Sequence, residues 1–176
     1  MQTEVIAQGK FLQLVKTGRW EFVERKGVNG VVVIVPFLDD GRVLFIEQFR
    51  PPVNATCIAF PAGLSGDLAD AADESLSAAA RRELLEETGF TAHDFEYLGS
   101  SVASAGLTSK NAAYFVARGL HRVAAGGGVD NEKITTHLVC REEVRGWLAE
   151  QARRAVVSAT VYAGLYLTGQ YYERSG

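Results

Sequence analysis

The chain has 176 residues, of which 47% are hydrophobic and 22% charged, and its net charge is −3. This length suits one domain with a core large enough to fold without disulfides, and the composition is ordinary for a soluble globular protein. A negative balance offers no basic field to a nucleic-acid backbone, so an anionic ligand needs local Arg, Lys or metal.

The opening MQTEVIAQGKF has no apolar signal-peptide core. The longest apolar run, residues 155–169, is too short and too rich in Ser and Thr to span a bilayer. A cytoplasmic protein without a membrane partner is expected. Cys57 and Cys140 lack Cys-x-x-Cys spacing and read as two buried structural thiols.

Residues 11–16 and 20–25 predict two strands joined at Thr17-Gly18-Arg19, a hairpin whose Gly suits a three-residue connection. The β-branched run 31–37 predicts a strand buried on both faces. Asp39-Asp40-Gly41 turns it into a partner strand at 42–49, which Pro51-Pro52 halts. A short strand over 57–60 leads into the turn Pro61-Ala62-Gly63. A helix then follows, capped by Asp73 or Ser75 and ended by Gly89. Strands are expected at 95–103 and 111–117 around the loop 104–110. A mobile glycine-rich loop, 124–130, precedes a strand at 133–140, and helices are expected over 141–153 and 156–171. There is no repeat, linker or second domain. Strands interrupted by one helix and followed by two predict an α+β fold with a mixed sheet between helices.

The central helix is loaded with acid. Glu83, Glu86 and Glu87 stand at i, i+3 and i+4, so their carboxylates project from one side. Such like charges destabilise a bare helix by a few tenths of a kcal/mol per pair, and near a C-terminus the helix dipole disfavours anions too. A solvated acidic face paired to Arg81 and Arg82 is the plain explanation; a divalent cation is the chemical one. Oxygen ligands alone favour Mg²⁺ or Mn²⁺ over Zn²⁺.

The spacing decides between them. Glu74, seven residues, then Arg82-Glu83-Leu84-Leu85-Glu86-Glu87-Thr88-Gly89-Phe90 resembles the box of the Nudix pyrophosphohydrolases. That box expects a Gly where Leu68 stands; Gly63 serves as its opening Gly with five extra residues in the loop. The resemblance covers about residues 30–167 and implies an α/β/α sandwich with the hairpin, within residues 1–29, as an extension of a single domain.

The closest resemblance is to the ADP-ribose and nucleoside-diphosphate-sugar branch. It implies Glu83 and Glu87 as principal metal ligands, and Glu86 as an additional ligand and catalytic carboxylate. The carbonyl of Ala62 completes the shell, with Arg82 and Glu74 orienting the carboxylates from behind. It further implies Glu132 as general base, Arg50 as diphosphate ligand, and Trp20 and Gly106 as substrate contacts. The apolar hairpin implies a homodimer, in which Trp20 reaches the partner's base pocket. His137 shows no metal-ligand spacing and is expected to pack. Two departures bear on the substrate. Ser104-Ala105-Gly106 has Ala where the branch has Pro, and Ala59-Phe60 precede Pro61 where Glu-Leu is common. The first weakens ADP-ribose as the specific substrate and the second removes a carboxylate common near the site, so the expected substrate is ADP-ribose or another nucleoside-diphosphate sugar, GDP-mannose among them. The alternatives are a nucleoside-triphosphate hydrolase of the same fold and a non-catalytic nucleotide sensor.

Overall fold

The computed structural model describes residues 2–67, 72–128 and 133–169. The N-terminal segment is a three-stranded antiparallel sheet, β1 (Thr3–Gln8), β2 (Leu12–Thr17) and β3 (Trp20–Arg25), in that order. The hairpin β2–β3 turns at Gly18, whose φ of 60° is left-handed and favours glycine. β1 was not expected: all six of its residues are exposed, so no buried face imposes alternation on its sequence. The sheet is fastened to the body at β3, where the Val23 N–H donates to the Leu107 carbonyl at 2.8 Å.

The body holds two four-stranded mixed sheets rather than the one expected. One has the order β7 (Ala62–Ser65), β4 (Gly30–Pro36), β9 (Asn111–Arg122), β8 (Phe90–Val102), with β4 and β9 parallel. The other runs β10 (Ile134–Cys140), β5 (Arg42–Arg50), β6 (Ala55–Ala59), β11 (Val156–Val157). Side chains alternate across these strands and fill two cores. Val32, Ile34, Leu44 and Ile46 face α1 (Leu76–Thr88) and its Ala79, Ala80 and Leu84. Val33, Val35, Val43 and Phe45 face α2 (Val144–Gln151) and α3 (Ala159–Leu167). This is the expected α/β/α layering. Gly164 is the close-packing small residue on α3; a Cβ there would fall 2.8 Å from both Phe60 and Val35.

Several boundaries differ from expectation. Val156 and Val157 form a parallel edge strand against Cys57 and Ile58 instead of opening the last helix. Ser158 starts α3, its Oγ accepting from the Thr160 N–H at 3.3 Å. A 3-10 turn, Arg141–Glu143, precedes α2. β8 begins at once after Gly89, bulging between Tyr97 and Gly99. Both cysteines are free, but Cys140 is exposed at the end of β10 and only Cys57 is half-buried. The glycine-rich stretch is not loose over residues 124–128: its backbone N–H groups bond to the end of α1. Among the described residues, no helix is long and apolar enough to cross a membrane.

Candidate active site

α1 is set by its two ends. The Ser75 Oγ accepts from the Ala78 N–H at 3.2 Å, and Gly89, at φ 74°, ends the helix in the left-handed region. Ala79, Ala80 and Leu84 take the buried stripe. That rotation turns Glu83 and Glu87 toward β7, with Glu87 itself only 4% exposed.

Arg82 joins the acidic groups into one network. Its Nε and Nη2 donate to the two oxygens of Glu74, each at 3.0 Å, a bidentate pair. Its Nη1 donates to Glu83 at 2.8 Å and Glu86 at 3.1 Å, and Nη2 also donates to the Leu64 carbonyl at 2.8 Å. The hydrogen bond from Arg82 holds the Glu74 carboxyl below the ordinary glutamate range. Burial pushes the Glu83 carboxyl up, against the pull of Arg82. The two ends of the Nudix-like spacing thus meet through one guanidinium.

Ala62 and Gly63, on β7, face the carboxylates. The Ala62 N–H donates to Glu87 Oε2 at 3.0 Å. A Cβ on Gly63 would fall 1.9 Å from the Glu83 Cδ and 2.0 and 2.3 Å from its oxygens, so only glycine admits this carboxylate. Among the described residues, no three acidic, His or Cys side chains already converge as a metal cage; Arg82 lies between Glu83 and Glu86 instead. The donors are nevertheless all oxygen: Glu83 lies against Gly63, Glu87 against the Ala62 N–H, and Glu86 shares Arg82 with Glu83. That chemistry fits a hard divalent cation such as Mg²⁺. Nudix hydrolases generally use such cations.

The remaining expected residues lie on other elements. Trp20 and Gly106 line one cavity of about 580 Å³, together with Arg19, Phe22, Thr108 and Ser109. These lining residues belong to one chain. Arg50 is exposed at the end of β5 and shares the register parity of Leu44 and Ile46, whose side faces α1. Glu132 lies outside the described residues.

Sequence reasoning missed two features here. Asp67 stands 3.5 Å from Arg82, an approach set by the lengthened loop and carried by no spacing rule. On the opposite face of the sheet, Glu47 accepts from both Arg154 Nη groups, at 2.7 and 2.8 Å, and pairs with His137 Nε2 at 2.8 Å. These partners push the Glu47 carboxyl down to about 2, Arg154 contributing most. Only the cross-strand register could have revealed the His137 contact, since Thr136 pairs with Ile46 and His137 with Phe45.

The family model of the NUDIX domain matches residues 28–157. A Bacillus methanolicus protein named methanol dehydrogenase activator is 27% identical over 177 residues, covering 95% of this chain and 90% of its own length. An ADP-ribose pyrophosphatase of Bacillus subtilis (strain 168) is 28% identical over 147 residues, covering 84% of this chain and 71% of its own. The crystal structure of an ADP compounds hydrolase superposes with a TM-score of 0.72 at 21% identity, over 97% of this chain and 91% of that one, a likeness of fold. With the carboxylate helix, its arginine network and a family model that covers most of the length, the chain belongs to the NUDIX family and is a pyrophosphohydrolase.

Proposed function

We propose that the protein is a cytoplasmic, Mg²⁺-dependent hydrolase of nucleoside-diphosphate sugars such as ADP-ribose, with Mn²⁺ able to replace Mg²⁺. It gives a nucleoside monophosphate and a sugar phosphate. The observation that carries this reading is the gathering of Glu83 and Glu87 against the Ala62-Gly63 backbone. The name of the Bacillus subtilis relative supports the substrate class.

Water attacks one phosphorus and the bridging P–O bond breaks; charge stabilisation and placement of the water dominate such a reaction. A bound divalent cation supplies neutralisation of phosphate charge and a more acidic water. Glu83, Glu86, Glu87 and the Ala62 carbonyl would hold it. Arg82 holds one oxygen each of Glu83 and Glu86, orienting these carboxylates, with Glu74 fixing Arg82 in turn. Glu132 takes the proton of the attacking water, and Arg50 grips the diphosphate through its planar fork. The indole of Trp20 stacks on the base in the cavity beside Gly106.

A homodimer is part of the same proposal. Phe11 is 66% and Trp20 58% exposed, more apolar surface than the small sheet covers alone. Light scattering of the intact chain should report twice its mass, and a monomer refutes this part.

An assay of ADP-ribose, GDP-mannose, UDP-glucose and nucleoside triphosphates with Mg²⁺ tests the activity. Nucleoside-diphosphate sugars should turn over fastest. Preference for triphosphates overturns the reading, and tight binding without turnover under any divalent metal makes the protein a sensor.

A further inference from the structure

The last carbonyls of a helix lack partners within it and are met from outside. In α1 two of them belong to Glu86 and Glu87, and the partners come from far along the chain. The Gly127 N–H donates to the Glu87 carbonyl at 2.9 Å and the Gly128 N–H to the Glu86 carbonyl at 3.0 Å. The N–H groups of Val123 and Ala124 both donate to the Gly89 carbonyl, at 2.9 and 3.0 Å. Gly126, Gly127 and Gly128 all have positive φ, 71°, 108° and 88°, which turns successive N–H groups toward the helix.

The approach leaves no room for side chains. A Cβ on Gly126 would lie 2.3 Å from the Thr88 carbonyl carbon, and one on Gly89 would lie 2.2 Å from the Ala124 oxygen. Arg122 braces the stretch from behind, its Nε and Nη2 donating to the Ala124 and Ala125 carbonyls at 3.1 and 2.7 Å.

We propose that Gly126, Gly127 and Gly128 are positioning residues for the divalent-cation site: Gly127 and Gly128 hold the Glu87 and Glu86 carbonyls, Gly126 permits that approach by lying bare against Thr88, and together they set where the two carboxylates point. This rests on the metal-dependent reading above. A cap that merely stabilised the helix would change melting temperature and leave metal affinity alone.

The test is calorimetric titration of Mn²⁺ into the substrate-free protein, with KM measured separately at saturating metal. Gly126→Ala forces its Cβ into Thr88 and should weaken Mn²⁺ binding about tenfold or more, the usual cost of losing a group that orients metal ligands. Gly127→Ala carries similar backbone strain, but its Cβ meets nothing within 4 Å, so it should lose less. Arg122→Ala, at an exposed site, should weaken binding several-fold and serves if Gly126→Ala does not fold. KM for substrate should hold in each. Folded Gly126→Ala, or Arg122→Ala in its place, with wild-type Mn²⁺ affinity overturns the clamp alone. Wild-type protein that binds no metal overturns the functional reading, and the clamp with it.

Discussion

Gly63→Ala is the smallest change that reaches the centre of the site. The added methyl would sit 1.9 Å from the Glu83 Cδ, whereas ordinary van der Waals contact begins at 3.4 Å. The carboxylate must therefore withdraw by about 1.5 Å. Gly63 is not among the glycines with positive φ, so alanine is compatible with its backbone. A flexible carboxylate yields more easily than backbone, which keeps the stability cost at about 1–3 kcal/mol. For a domain of this size that is a melting shift of roughly 2–12 °C. Catalysis suffers more. A misplacement of about 1 Å costs ~100-fold, so kcat should fall by about 10²–10³, or ~3–4 kcal/mol in barrier. The assay is turnover of the best nucleoside-diphosphate sugar across a Mg²⁺ titration, beside a thermal melt. Gly146→Ala in α2, with nothing within 4 Å of its Cβ, is the control and should stabilise the fold by about 1 kcal/mol without altering kcat. Folded Gly63→Ala with kcat within about twofold of wild type would refute a role for the Glu83 carboxylate at that spot.

Other perturbations address other parts of the molecule. Glu83→Gln or Glu87→Gln should lower kcat by about 10²–10⁴, because cation stabilisation of transition-state charge is worth several kcal/mol; circular dichroism should show the fold retained. Trp20→Ala should raise KM by about tenfold, as loss of base stacking costs ~1–3 kcal/mol, with kcat little changed. Equal KM would remove Trp20 from the substrate site. Glu47 titrates near 2 in the folded chain against an ordinary 4.5, so the stability it adds is fully present above pH 4.5 and is lost as pH falls toward 2. Melting curves of Glu47→Gln and wild type should therefore lie apart at pH 6 and converge by pH 2; a gap that does not change with pH contradicts this account.

What could be read from the sequence was whatever local periodicity governs. Arg82, Glu83 and Glu86 share one helix, so their proximity followed from 3.6 residues per turn. Ser75 and Gly89 were legible for the same reason, as capping is a short-range rule. Gly63 could be singled out but not what touches it, since its contact with Glu83 depends on how β7 packs beside α1. β11 was misread because two valines that continue into apolar residues look helical; their parallel partner on β6 decides otherwise. The glycine run looked like slack chain, because glycine marks both looseness and close backbone approach, and only the fold distinguishes them.

Arg82 has a consequence for the life of the protein before it meets a cation. Its guanidinium already stands between carboxylates that would otherwise repel one another. Charge balance among Glu74, Glu83 and Glu86 is therefore met by the chain itself, and folding needs no cation on that account. On the proposed metal-dependent reading, chelation should silence turnover and lower the melting temperature only by what metal binding itself adds, and restored metal should bring activity back without refolding. On that reading, supply of the ion, rather than synthesis or destruction of the polypeptide, would be a fast and reversible throttle on the reaction.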